Sequence, residues 1–519
     1  MTAKSHLSPE RIQLLQELAH TYGTPLYVYD MEQIKRNFLS FKQAFNARKS
    51  LICYALKANS NLSVLRLLAE LGSGADCVSI GEVKRALLAG IPKYKIIFSG
   101  VGKKDDEIKE ALELGILFIN VESFEELKRI ESITKLLVDS RTNPSPESTR
   151  ARISIRVNPN IDAKTHPYIS TGLHENKFGV DMESAKQMYL YAHKSAFLEP
   201  VGIHFHIGSQ LTDLEPLIEA AHKIANLARS LLALGINLRF FDIGGGLGIR
   251  YEDEKPIDLY SYAQGILSTL SGCDWTIICE PGRRIVGDSG LLLTQVISQK
   301  LTESKRFVIV DAGMNDLVRP ALYGAYHQPI ILQNSALGSH SADLAHFEAT
   351  ADHQSSSAPK CAKNYESTTA IPRILEEESQ GECETSCLEQ TALESTFSQS
   401  PTAKRSFFRK QAIAVQGEAE AGFFRKPTPK PMPKADIVGP VCESSDTFCK
   451  NIALPPLHNG ALLGFSNAGA YGYSMASTYN ARMRPAEVGI YADGARLIKP
   501  RESFEASVAD ELALLDSSK

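Results

Sequence analysis

The sequence predicts a (β/α)8 barrel joined to a C-terminal all-β domain, and three observations carry that prediction. First, eight short apolar runs alternate with helix-period segments between Leu51 and Arg283. Strands rich in Ile, Val and Phe, separated by helices of about ten or more residues, imply parallel βαβ units. Second, eight such units in roughly 240 residues match a barrel in count and size. A doubly wound open sheet usually stops at roughly five to seven strands. Third, from Leu291 the rhythm changes to strands joined by turns, which reads as an all-β domain.

The bulk properties agree with two domains. A chain of 519 residues exceeds what one hydrophobic core can organise. Hydrophobic residues at 43% and charged residues at 22% are ordinary for a soluble globular protein. A formal net charge of −4 gives no reason to expect a nucleic-acid or anionic-membrane partner. No apolar run approaches the ~20 residues needed to span a bilayer. The N-terminus (MTAKSHLSPERIQLLQELAH) carries acids and lacks an apolar core, so no secretory or transit peptide is expected. Nine cysteines without a secretion signal point to free thiols in a reducing compartment, hence the cytoplasm.

Taken in order, the chain opens with an amphipathic helix and the strand PLYVYD at Pro25 to Asp30. That strand precedes the first barrel unit, so residues 1–35 are assigned to pack with the β domain. The barrel is expected over 36–288, with runs LICYALK from Leu51, GADCVS from Gly74, KIIFSG from Lys95 and LFINVES from Leu117. RISIRVNP from Arg152, VGIHFHIGS from Val201, RFFDIGGG from Arg239 and TIICEPG from Thr276 complete the set. Between them lie amphipathic stretches such as LSVLRLLAELG and DDEIKEALELG, several ending in Gly, the expected helix C-cap. LLLTQVISQK, RFVIVDAG and HQPIILQ begin the β domain, assigned to 289–333 and 433–519. Residues 334–432 are rich in Ser, Glu, Thr, Ala and Pro and close on FFRKPTPKPMPK, which reads as a long, mostly disordered insertion. Cys383 and Cys387 lie inside it without His or Cys partners that would make a metal site.

In such a barrel, functional groups occupy the carboxyl ends of the strands. Lys57 ends the first run, Asp76 and Ser79 the second, Arg156 and Asn158 the fifth. His206 and Ser209 close the sixth, Gly244, Gly245 and Gly246 the seventh, and Glu280 and Arg283 the eighth. A lysine among apolar walls can lose its charge and attack a carbonyl, although a lone strand-end lysine equally snorkels to water. The glycine triplet lets backbone N–H groups approach an anion, or simply turns the chain tightly. It is not the dinucleotide fingerprint, because Ile249 stands where the third glycine belongs. Loops after strands seven and eight are the usual phosphate site of these barrels. Glu280 either pairs with Arg283 or Arg284 or holds a proton on a heteroaromatic nitrogen. His204 and His206 share a strand face, but no ligand-like Asp, Glu or Cys accompanies them, so no metal site is expected. One core histidine and one imidazole stacked on a planar ring is the more economical reading. A Schiff-base lysine, a phosphate cradle, an acid for a ring nitrogen and a covering imidazole describe a pyridoxal 5'-phosphate site.

The motifs then resemble a known family, the barrel-type pyridoxal-phosphate decarboxylases of alanine-racemase-like fold, and within it the diaminopimelate decarboxylase branch. YALKAN, SGADCVSIGE, RVNPNIDAKTHPYISTG, HENKFG, HFHIGSQ, DIGGGLG, EPGR, NDLVRPALYGAYH, GPVCESSDTF and NAGAYGYSMASTYN are similar to that branch's signatures and follow its order. Single motifs are shared with ornithine and arginine decarboxylases, and the combination is specific. The resemblance implies a decarboxylase that releases CO2 and L-lysine from meso-2,6-diaminopimelate, the last step of lysine biosynthesis. It implies that Lys57 binds the cofactor covalently, His206 stacks on its ring and Glu280 pairs with the pyridine nitrogen. Asp76, Ser209, Gly244 to Gly246, Pro281, Gly282, Arg283 and Tyr471 would complete the cofactor site. Arg283, Arg319, Tyr323, Glu443 and Tyr471 would face the substrate, with Cys442 a proton donor near Cα. Cys442 and Glu443 would enter the second subunit's site, which implies a homodimer with shared active sites.

Charge logic agrees with that substrate. Guanidinium groups suit a carboxylate because their planar fork binds it in bidentate fashion, and Glu443 suits a distal ammonium. Ornithine has no distal carboxylate, so Arg319 separates the candidates. The alternatives are another basic amino acid decarboxylase of the same fold and a non-catalytic cofactor-binding relative. Arg284, Ser445, Asn467 and Gln328 depart from the branch's usual residues without removing a catalytic group.

Overall fold

The structure is a computed structural model and describes residues 7–140, 149–162, 177–334 and 434–517. The insertion expected over 334–432 lies outside the described residues except for Asn334, as do Cys383 and Cys387. Most of HPYISTG and HENKFG falls outside them too.

All eight expected barrel strands are present, in order: β2 (Ser50–Ala55), β3 (Gly74–Cys77), β4 (Ile96–Phe98) and β5 (Phe118–Val121), then β6 (Ala151–Arg156), β7 (Leu198–His204), β8 (Phe240–Asp242) and β9 (Thr276–Cys279). They close into one parallel barrel, β9 returning beside β2 with Leu51 opposite Ile278. Alternation decides which side chains fill it. Cys53, Ile97, Phe118, Val201 and Ile278 pack together as one cluster, while neighbours such as Ile52 and Tyr54 join the larger core beneath the helices. The helices end as their glycines require. Gly115 takes a left-handed φ of 68° after Asp105–Leu114, and Gly72 and Gly90 follow their helices at φ 89° and 95°.

The second element is a nine-stranded sheet. The early strand β1 (Leu26–Asp30) belongs to it, pairing antiparallel with β10 (Gly290–Leu301) and parallel with β16 (Ala486–Tyr491). β11 (Arg306–Val310), β13 (Lys434–Val438) and β14 (Thr447–Ala453) extend one side, and β17 (Gly494–Lys499) the other. β15 (Leu462–Phe465) pairs with β10 and with β12 (Pro329–Gln333). The N-terminal helix Pro9–Tyr22 puts Leu15, Leu18 and Ala19 against Leu26, Val28, Leu291 and Leu293. Burying each of those leucines contributes about 1.5–3 kcal/mol. The hairpin β16–β17 and the final helix Phe504–Ser517 are not among the expectations from sequence. No described helix is long and apolar enough to cross a membrane.

The sheet meets the barrel where the chemistry is expected. The Tyr471 N–H donates to the Ala58 carbonyl at 2.8 Å, one residue past Lys57. Glu487 on β16 accepts from Asn61 and from Tyr29, which clamps the loop after β2 to the sheet.

Candidate active site

Lys57 lies one turn beyond its strand. β2 ends at Ala55, and Lys57 sits in the 3-10 turn Leu56–Ala58, which aims it across the barrel mouth. Its Nζ is 3.4 Å from Asp76 Oδ2, and its side chain is 43% exposed, into a cavity of about 720 Å³. Burial opposes the ammonium charge, but the Asp76 carboxylate and the charge on Glu280 outweigh it and raise the amine's pKa. The sequence alone left the charge of this lysine open. Here the amine is held as an ammonium, because a buried acid stands beside it.

Glu280 directly follows β9 and lines the cavity, 6% exposed. Burial works against its charge, yet His204 and Lys57 pull its pKa down to about 2. His204 Nε2 lies 3.2 Å from Glu280 Oε2, so the first histidine of HFH is the core residue and it orients the acid. Asp242 on β8 completes a group with ligand atoms within 4.8 Å of one another. Burial and the Glu280 charge push the Asp242 carboxyl well up, so it stays protonated beside an ionised neighbour. Asp242 is not among the residues expected from sequence, where it stands only as the first letter of DIGGGLG.

His206 lines the same cavity. Its Nδ1 accepts the Gly245 N–H at 3.2 Å, and burial with the nearby Arg156 charge keeps the ring neutral. The glycines are demanded by their neighbours. A Cβ on Gly245 would stand 2.2 Å from the Glu280 carbonyl oxygen, and one on Gly246 2.3 Å from that of Gly208. The triplet therefore brings three loops together, and Gly245 and Gly246 line a small pocket beside the cavity.

This smaller pocket is bounded by Lys57, His206, Ser209, Gly245, Gly246, the segment Glu280–Arg283 and Tyr471. Arg283 Nη2 donates to Ser209 Oγ at 3.1 Å and Nη1 to the Tyr251 hydroxyl at 2.6 Å. Tyr471 adopts φ 57°, a conformation costing about 1 kcal/mol or more. Its N–H bond to Ala58 and the Arg283 guanidinium, 4.9 Å from its ring centre, hold it there. Arg319 and Tyr323, from the short helix Arg319–Tyr323, line the far wall of the large cavity. Tyr251 joins the two arginines, its ring 4.8 Å from the Arg319 guanidinium. Nothing in GGGLGIRY announces that role, because both partners come from distant segments.

Cys442 and Glu443 are not brought to this cavity within one chain. Both are exposed on the sheet domain. The Cys442 N–H donates to Asn480, and Glu443 accepts from the Tyr479 hydroxyl at 2.7 Å. The departures in sequence have plain roles. Arg284 donates to the Gly248 carbonyl, Asn467 takes a left-handed φ of 57° and donates to the Arg250 carbonyl, the Gln328 carbonyl accepts from Ser466, and Ser445 lies against the Met314 sulfur. None of the four lines either cavity.

The residues fit a phosphorylated pyridine aldehyde. Glu280 Oε1 and Asp76 Oδ1 are buried without a hydrogen-bond partner among the described residues, and so is Arg283 Nε. An acid for a ring nitrogen, an amine and a guanidinium beside a hydroxyl thus converge on one pocket.

Comparison with known proteins agrees. Residues 31–287 match the pyridoxal binding domain of pyridoxal-dependent decarboxylases, and residues 397–469 match their C-terminal sheet domain. The chain is 50% identical to a diaminopimelate decarboxylase of Helicobacter pylori over 490 residues, 94% of this chain and 96% of the relative. It is 45% identical to that of Campylobacter jejuni over 497 residues, 96% of this chain and 98% of the relative. The crystal structure of the H. pylori diaminopimelate decarboxylase complexed with L-lysine superposes with a TM-score of 0.73 at 48% identity, covering 96% of this chain and 99% of that one.

Proposed function

The chain belongs to the diaminopimelate decarboxylase family of pyridoxal-dependent decarboxylases, and from that premise we propose how its residues divide the work. It is a pyridoxal-phosphate-dependent carboxy-lyase that converts meso-2,6-diaminopimelate to L-lysine and CO2. The observation that carries the substrate assignment is Arg319, a buried guanidinium on the wall of the cavity that also holds Lys57 and Glu280.

Pyridoxal phosphate, when bound, supplies the electron-poor ring that takes up the electrons left when the carboxylate departs as CO2. Lys57 provides the amine that holds the cofactor covalently, and Asp76 keeps that amine beside it when it is free. Glu280, ionised and oriented by His204, keeps a proton on the ring nitrogen. His206, uncharged, would stack on the ring without opposing that proton. Ser209, Gly244, Gly245, Gly246, Pro281, Gly282, Arg283 and Tyr471 close around the phosphate. Arg319 and Tyr323 hold the substrate's distal carboxylate. Cys442 and Glu443, exposed on the sheet domain, complete the site of a second copy. There Glu443 takes the distal ammonium and Cys442 returns a proton to Cα. The assembly is then a homodimer, acting in the cytoplasm, with the barrel over 36–288 and the sheet domain built from 1–35, 289–333 and 433–519.

The test is direct. Purified protein with pyridoxal phosphate and meso-diaminopimelate should release equal amounts of L-lysine and CO2. Silence there, with turnover of ornithine or arginine, would overturn the assignment.

A further inference from the structure

Arg319 does not stand alone in its wall. Its Nη1 lies 2.9 Å from Nε2 of His327, and His327 Nδ1 lies 2.9 Å from the Ser466 carbonyl oxygen. A carbonyl only accepts, so Nδ1 carries the hydrogen and Nε2 is the acceptor for the guanidinium. His327 is 0% exposed, and Tyr251 meets its ring edge-on at 5.6 Å between centroids. Burial, then the Arg319 charge, pushes its pKa down to about 3, so the ring stays neutral throughout the working range. The choice of residue matters. An Asp or Glu here would neutralise Arg319 and compete with any incoming carboxylate, whereas a neutral imidazole orients the fork and leaves its charge available.

We propose that His327 is a positioning residue for substrate selectivity: by engaging one edge of Arg319, with Tyr251 against its face, it presents the remaining edge to the distal carboxylate of a dicarboxylic diamine. This rests on the reading of Arg319 as the distal-carboxylate residue. A fork already fixed by His327 loses less rotamer freedom when a carboxylate docks. A substrate whose only carboxylate is the one that leaves gains nothing from it.

The experiment compares wild type, His327→Leu and His327→Gln, each loaded with pyridoxal phosphate. It measures KM and kcat for meso-diaminopimelate and the inhibition constant of cadaverine (1,5-diaminopentane), which lacks the distal carboxylate. His327→Leu should raise KM about tenfold or more while kcat changes less than about threefold, the signature of lost uniform binding. The cadaverine constant should hold. Glutamine, whose amide oxygen can still accept from Arg319, should restore most of the loss. In an Arg319→Met background, His327→Leu should add nothing. An unchanged KM, or KM and the cadaverine constant rising together, overturns the proposal. If His327→Leu does not fold, His327→Asn carries the same comparison, its shorter side chain being unable to reach both Arg319 and Ser466. Failure of wild type to turn over meso-diaminopimelate would sink the functional assignment instead, so the two outcomes are distinguishable.

Discussion

Replacing Glu280 with glutamine removes one charge from the cavity and keeps the side chain's size. In the folded protein this carboxyl stays ionised down to about pH 2, because His204 and Lys57 outweigh the cost of burial. Its Oε1 is buried with no partner among the described residues, so a ring N–H placed there would satisfy it. A hydrogen bond between a charged pair in a buried site is worth about 1.5–3 kcal/mol. That corresponds to roughly ten- to 150-fold in cofactor affinity. The amide oxygen of glutamine can still accept, but it cannot keep a proton on the ring nitrogen. The rate should therefore fall further than the affinity, by about 10²–10³-fold, as when other preorganised electrostatic groups are removed. Titrating cofactor-free protein with pyridoxal phosphate by absorbance gives the affinity, and CO2 release gives kcat. If both stay within about threefold of wild type, the role assigned to Glu280 is wrong.

Three further outcomes follow from the same geometry. Asp76→Asn removes a charge 3.4 Å from Lys57; for a side chain 43% exposed a water-like dielectric applies, giving about 1 kcal/mol and roughly a tenfold rise in neutral amine. The raised pKa of Lys57 should then move down, so cofactor-free Asp76→Asn should capture the aldehyde faster than wild type at pH 8, and an equal or slower rate contradicts the pairing. Gly245→Ala forces a methyl to 2.2 Å from the Glu280 carbonyl oxygen, and denaturant titration of the cofactor-free protein should register about 1–3 kcal/mol of destabilisation with weakened cofactor binding. Lys57→Ala and Cys442→Ala proteins should each be inactive, but mixed and allowed to exchange subunits they should regain about 25% of wild-type activity, since half the dimers are mixed and each has one intact site; no recovery argues against shared sites.

The barrel was legible because its signal is repetitive. Eight apolar runs, each ending at a polar or glycine-rich turn, leave little freedom about which residues are strands and which ends carry chemistry. Lys57, Asp76, His206 and Glu280 could be gathered from sequence because the closed barrel forces strand ends into one circle. What escaped was tertiary. The strained φ of Tyr471, the clash that makes Gly245 a glycine, the use of Tyr251 to hold two arginines and the Ser466 carbonyl that fixes His327 beside Arg319 all depend on segments far apart in the chain. Asp242 escaped because its proton is set by burial and by Glu280 just past the neighbouring strand, a pairing that no local pattern announces. The hairpin Ala486–Tyr491 with Gly494–Lys499 did carry a turn signal in Asp493-Gly494, overshadowed by the richer motifs before it.

The central claim is that Lys57 is the cofactor's covalent anchor. Reducing the pyridoxal-phosphate-loaded protein with borohydride, digesting it and mapping the modified peptide by mass spectrometry tests this without reference to rate. The account predicts one stable pyridoxyl adduct, on Lys57, formed in proportion to the loss of visible absorbance. An adduct on a different lysine, in protein that still releases CO2 from meso-diaminopimelate, would contradict it.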